Sequence, residues 1–133
     1  MSWDAAIKFA MTSTLGKKKK PTRQCQLRLS HDEVIDADVY ENRGRLRGTI
    51  LFVHGMTFNG NRDVRQMQAC GALAAAGFRT ISPPFPFLAQ GIIRLDTIER
   101  IKQLVSAVTV DRRLAPDGRV GLFSASFSAG MCL

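Results

Sequence analysis

The chain has 133 residues, 45% hydrophobic and 23% charged, a balance that excludes a disordered polypeptide and suits one globular domain. A chain of this size buries about two thirds of its surface on folding, and no run approaches the roughly 20 apolar residues of a membrane span. The net charge of +8 is spread evenly: ten Lys/Arg and six Asp/Glu in residues 1–47, then nine and five in the remainder. That spread argues against a dedicated nucleic-acid arm, because only Lys17-Lys18-Lys19-Lys20 forms a cluster. The cluster reads first as a solvated linker and second as a patch facing phosphate or an anionic membrane.

Met1-Ser2-Trp3-Asp4 offers no basic stretch leading into an apolar core, so no secretory signal is expected and a cytoplasmic location is. Cys25, Cys70 and Cys132 are odd in number and far apart, which fits reduced thiols rather than a disulfide framework or a zinc site.

Residues 2–15 predict an amphipathic helix, with Ala6, Ile7, Ala10, Met11 and Leu15 at helical spacing. With the lysines it makes an N-terminal segment, residues 1–23, separate from a domain over 24–133. Cys25, Leu27 and Leu29 alternate with polar residues, as in a strand. After the turn-like Ser30-His31-Asp32-Glu33, Ile35, Ala37 and Val39 alternate with Asp36, Asp38 and Tyr40, a second, half-exposed strand and an antiparallel partner for the first.

The pattern then changes. Ile50-Leu51-Phe52-Val53 is apolar without alternation, as in a strand covered on both faces. His54-Gly55 ends it, and Asn61 is placed to cap a helix from about residue 62 to 76, closed by Gly77. Val64, Met67, Gly71, Ala74 and Ala75 form its expected inner face. Residues 78–82 read as a strand stopped by Pro83-Pro84, followed by a long loop over 82–95 in which Phe85, Phe87 and Leu88 are candidate pocket walls. Asp96-Thr97-Ile98-Glu99 resembles a capping box opening a helix with Ile98, Ile101, Val105 and Val108 on its buried face. Pro116-Asp117-Gly118 turns the chain into a last strand. From residue 49 onward, strands alternate with helices, which implies an α/β fold with a parallel sheet and helices on both faces.

That last strand carries the clearest chemical signal. Val120, Leu122 and Phe123 run into Ser124-Ala125-Ser126-Phe127-Ser128-Ala129-Gly130. A strand that turns sharply into a helix and presents one side chain at the apex needs small residues two positions to either side. Ser124 and Ser128 hold those places around Ser126. A register with Ser128 at the apex also fits, although the apolar residues then end too early. The stretch resembles the nucleophile elbow of the α/β-hydrolase family, with serines where Gly-x-Ser-x-Gly has glycines.

His54-Gly55, directly after an apolar strand, resembles the same family's oxyanion loop. Seventy-two residues separate Ser126 from His54, room for two strand–helix units. The resemblance covers residues 24–133, looks most like the dienelactone-hydrolase and small-esterase branches, and implies an incomplete α/β-hydrolase fold. It also implies Ser126 as the acyl-accepting nucleophile and backbone N–H groups of Phe127 and of Met56 or Thr57 as the oxyanion hole. His54 and Gly55 would then shape the loop, the histidine acting as scaffold rather than base. The implied activity is ester or lactone hydrolysis through an acyl-enzyme, with no metal or organic cofactor and a small-molecule substrate.

In that family the triad acid and base follow the nucleophile, and these residues supply no positions for them. Only His31 and His54 are present, and His31 lies about four strand spacings from the elbow, roughly 19 Å. A general base must come within about 3 Å of the hydroxyl. The expectation is the N-terminal half of a serine hydrolase, with little turnover alone and an open sheet edge that invites self-association. Two alternatives stand beside it: a non-catalytic binding protein on the same scaffold that uses the basic N-terminal region, and an acyltransferase of the same fold.

Overall fold

The computed structural model describes residues 20–55, 59–90 and 95–124. The expected helix over 2–15 and Lys17–Lys19 lie outside the described residues, while Lys20 is exposed. Five strands form one sheet in the order β1-β2-β4-β3-β5: β1 (Arg23–Arg28), β2 (Val34–Tyr40), β3 (Gly48–Val53), β4 (Phe78–Ser82) and β5 (Gly121–Ser124). The helices are α1 (Val64–Ala75), the four-residue α2 (Pro86–Ala89) and α3 (Asp96–Val110), with short 3-10 turns at Ser30–Asp32 and Gly60–Arg62.

Strand β1 pairs antiparallel with β2, from Arg23 opposite Val39 to Arg28 opposite Val34, and β2 pairs antiparallel with β4. The central strand β3 pairs parallel with β4 on one side and with β5 on the other. The leading antiparallel pair, the parallel order after it and the bounds of β4 are those the sequence predicts.

The unbroken apolar run of β3 is explained by two cores. Leu51 and Val53 join Leu27, Ile35, Val39 and Ile81 against Ile101, Leu104 and Val108 of α3. Ile50 and Phe52 point the other way, with Tyr40 and Phe78, against Ala69, Cys70, Leu73 and Ala74 of α1. Alternate side chains of a strand leave opposite faces, so a strand covered by helices on both faces has no position for a solvated residue. All six residues of β3 are buried.

Several expectations need correction. Strand β2 is not half-exposed throughout: Asp38 and Tyr40 are buried as fully as Val39, because α1 covers the face on which they lie. Asn61 does not cap α1. It belongs to the preceding 3-10 turn, and Asp63 caps the helix by accepting the Arg65 N–H at 3.0 Å. Val64 and Ala75, expected inside, are exposed, and the buried face runs instead through Gln66, Ala69, Cys70 and Leu73. In α3, Leu95 occupies the cap position and Asp96 is already helical. Leu104 and Thr97 are buried there, whereas Ile98 is 39% exposed. In both helices, spacing alone leaves the phase of the stripe open by about one residue, and the position of the sheet settles it. The loop over 82–95 also contains a short helix, α2, which starts at Pro86 where a missing N–H costs nothing.

Gly77 closes α1 as expected, at φ +99°, its N–H donating to the Ala74 carbonyl at 3.0 Å. Beyond α3, the turn leading to β5 is tied to the sheet. The buried Thr49 hydroxyl donates to the Leu114 carbonyl at 2.7 Å, and Arg79 donates to the carbonyls of Arg113 and Leu114, each at 2.7 Å. These bonds set the height at which β5 enters beside β3.

Candidate active site

The site is built where parallel strands end together. Val53, the last residue of β3, pairs with Ser124, the last residue of β5. His54 and Gly55 therefore follow β3 at the end of the sheet where β5 finishes with Ser124. Adjacent strands lie about 4.8 Å apart. Among the described residues β5 pairs only with β3, and Leu122 is 42% exposed. Ser126, Phe127, Met56 and Thr57 lie outside the described residues, as does Ser128.

His54 is fully buried, and both ring nitrogens are occupied. Nδ1 lies 2.7 Å from the Gly55 carbonyl oxygen, which only accepts, so Nδ1 carries the proton. Nε2 accepts the Phe85 N–H at 2.8 Å. The Phe85 ring stands edge-on to the imidazole, centroids 5.5 Å apart. Burial pushes the His54 pKa below its ordinary value, the bond to Gly55 acting in the opposite sense. A neutral imidazole with one donor and one acceptor both engaged has no lone pair for a serine proton. His54 links the end of β3 to the segment after β4.

His31 belongs to the turn joining β1 and β2. The strand order puts that turn three to four spacings from β5, about 14–19 Å.

Phe85, Phe87 and Leu88 line one cavity of about 280 Å³, at the end of the sheet where the parallel strands finish. Its other wall is charged, with Glu33 from the β1–β2 turn holding Arg100 of α3 at 2.6 Å. Phe85 is thus shared by the cavity wall and the His54 bond. Among the described residues, no cluster of three His, Cys, Asp or Glu side chains gathers at metal-binding distance, and no helix is long and apolar enough to cross a membrane.

A cluster that sequence reading missed centres on Asp38, whose side chain is only 2% exposed. Arg62 grips it with Nε at 2.5 Å from Oδ2 and Nη2 at 2.8 Å from Oδ1. Asn61 Nδ2 donates to Oδ2 at 3.3 Å and to the Ser82 carbonyl at 3.0 Å, and Gln24 Nε2 donates to Oδ1 at 3.2 Å. The only sequence signal was an acidic residue in a strand whose neighbours are apolar, and alternation made that look like a solvated position.

No protein-family model matches the chain, and no curated protein does. Solved structures do. A bacterial brefeldin A esterase, described as a homologue of human hormone-sensitive lipase, aligns at TM-score 0.57 and 18% identity, covering 90% of this chain and 38% of the esterase. Acylaminoacyl peptidase of Pyrococcus horikoshii aligns in two structures at TM-scores 0.58 and 0.54, with 17% and 16% identity, covering 98% of this chain and 22% of the peptidase. The chain thus spans well under half the length of the structures it resembles. Both are α/β-hydrolase-fold enzymes. The described residues form part of an α/β-hydrolase fold.

Proposed function

We propose that this chain supplies the nucleophile and oxyanion half of a serine hydrolase that cleaves carboxylic esters or lactones through an acyl-enzyme. The observation that carries the reading is the pairing of Val53 with Ser124. It sets the residue before His54-Gly55 beside Ser124, two positions before Ser126 in the sequence, at one end of the sheet. Ser126 Oγ attacks the substrate carbonyl carbon, and the alcohol leaves after the tetrahedral intermediate collapses. The negative charge on the carbonyl oxygen is met by the N–H groups of Phe127 and of Met56 or Thr57.

His54 does not serve as the base, since both of its nitrogens are engaged. Base and acid come from residues that follow the elbow, as they do in enzymes of this fold. The cavity beside Phe85, Phe87 and Leu88 receives the apolar part of the substrate.

A fluorophosphonate probe followed by intact mass and peptide mapping tests the assignment. In a longer polypeptide that contains these residues and the strands after them, one adduct is expected on Ser126, and Ser126→Ala abolishes it. The 133-residue chain by itself is expected to label at least about ten-thousandfold more slowly, the order of the smallest loss in kcat seen when a triad member is removed. An adduct on Ser128 would move the nucleophile. Rapid stoichiometric labelling of the 133-residue chain would overturn the division of the triad.

A further inference from the structure

We propose that Asp38 and Arg62 are a positioning pair that anchors the return limb of the loop after β3. The inference rests on the proposed hydrolase reading for its purpose, because that reading takes one oxyanion donor from Met56 or Thr57, which follow β3 in the sequence. The loop's two feet are held separately. On the outgoing side, His54 bonds the Phe85 N–H after β4. On the returning side, the Gly60–Arg62 turn is fastened to β2 through Asp38 and to β4 through the Ser82 carbonyl.

The chemistry is more specific than a tether requires. All four donors converge on one buried carboxylate: Arg62 Nε and Asn61 on Oδ2, Arg62 Nη2 and Gln24 on Oδ1. A planar guanidinium meeting both carboxylate oxygens fixes direction as well as distance. Only the Asp38 end of the pair is buried, and a buried carboxylate without its partner is costly, so the turn that carries Arg62 is held where the guanidinium can reach it. Asp38 also sits opposite Ser82 in the β2–β4 register, so the anchor is referenced to the strand ends themselves.

The test is site-resolved amide hydrogen exchange on the 133-residue chain, with Arg62→Ala and Arg62→Lys. The Arg62 side chain is about half exposed, so its removal leaves the core filled. The amides to follow are Arg62 and Asp63, which donate to the Asn59 and Gly60 carbonyls at 3.0 and 3.2 Å. Arg62→Ala is expected to speed their exchange about tenfold or more while the amides of Ala76 and Gly77, at the far end of α1, stay unchanged. Lysine, a single point charge, is expected to restore only part of the protection. No acceleration, equal acceleration at Ala76 and Gly77, or complete rescue by lysine would each overturn the positioning role. Exchange does not depend on turnover, so its outcome stands apart from the labelling of Ser126.

Discussion

The imidazole of His54 accepts the backbone N–H of Phe85 at 2.8 Å across the carboxyl ends of β3 and β4. The bond requires a neutral ring, because protonated Nε2 would present a second donor to the Phe85 donor. It therefore couples the geometry of the loop after β3 to proton concentration.

The sign follows from the depressed pKa. The unfolded chain binds a proton at the ordinary histidine pKa of about 6.5, whereas folded His54 resists protonation through burial. The contribution is complete above about pH 7 and shrinks as pH falls below about 6.5, until the folded form also protonates. Its limiting slope is about 1.4 kcal/mol per pH unit. Urea midpoints measured from pH 7.5 to 5 are expected to fall, and His54→Gln is expected to flatten that fall. An unchanged slope in the variant would assign the proton uptake elsewhere.

Leu104 and Ile98 make a paired test of the α3 face. Leu104 is completely buried and Ile98 is 39% exposed. Leu104→Ala is expected to destabilise by about 2–5 kcal/mol through lost burial and a cavity. Ile98→Ala should cost less than about 1 kcal/mol, as surface substitutions do. Equal losses in denaturant titrations would restore Ile98 to the core.

Gly77 and Gly44 both have positive φ, +99° and +123°, but their surroundings differ. A Cβ on Gly77 would sit 2.9 Å from Cγ and Cδ of Arg47, while one on Gly44 meets nothing within 4 Å. Gly77→Ala combines backbone strain with a clash and is expected to cost about 1–3 kcal/mol. Gly44→Ala carries strain alone and should lower the thermal midpoint less.

The described cysteines should be slow nucleophiles. Burial pushes the Cys25 thiol up to about 11, and pushes that of the fully buried Cys70 higher still. With iodoacetamide at pH 8, Cys70 is expected to remain unmodified in the folded chain and Cys25 to react well below the rate of a free thiol. Fast modification of Cys70 would reveal local opening of α1 away from the sheet.

Much of this architecture is written in local pattern. The continuous apolar run of β3 announces two covered faces, and the alternation at Leu27 and Leu29 announces one. Gly77 marks a helix end because few other residues adopt its φ, and Pro83-Pro84 stops β4 because proline cannot extend the ladder. These features depend on backbone geometry within a few residues, so a linear reading finds them. His54-Gly55 follows the last residue of β3 directly, whereas Ser126 and its small neighbours Ala125 and Ser128 lie outside the described residues.

The ion pair at Asp38 is of another kind. Asp38 and Arg62 are brought together only when β2 pairs with β4 and α1 folds across that face. Alternation along β2 made Asp38 look solvated, because the pattern reports which face a residue occupies and not what covers it. The same applies to Leu104 replacing Ile98, and to His54 reaching Phe85. Strand identity and helix ends were settled by the chain near each residue. Burial, pairing and the anchoring of the loop after β3 were settled by packing between segments distant in sequence, where the cost of burying a polar group depends on partners that local pattern does not contain.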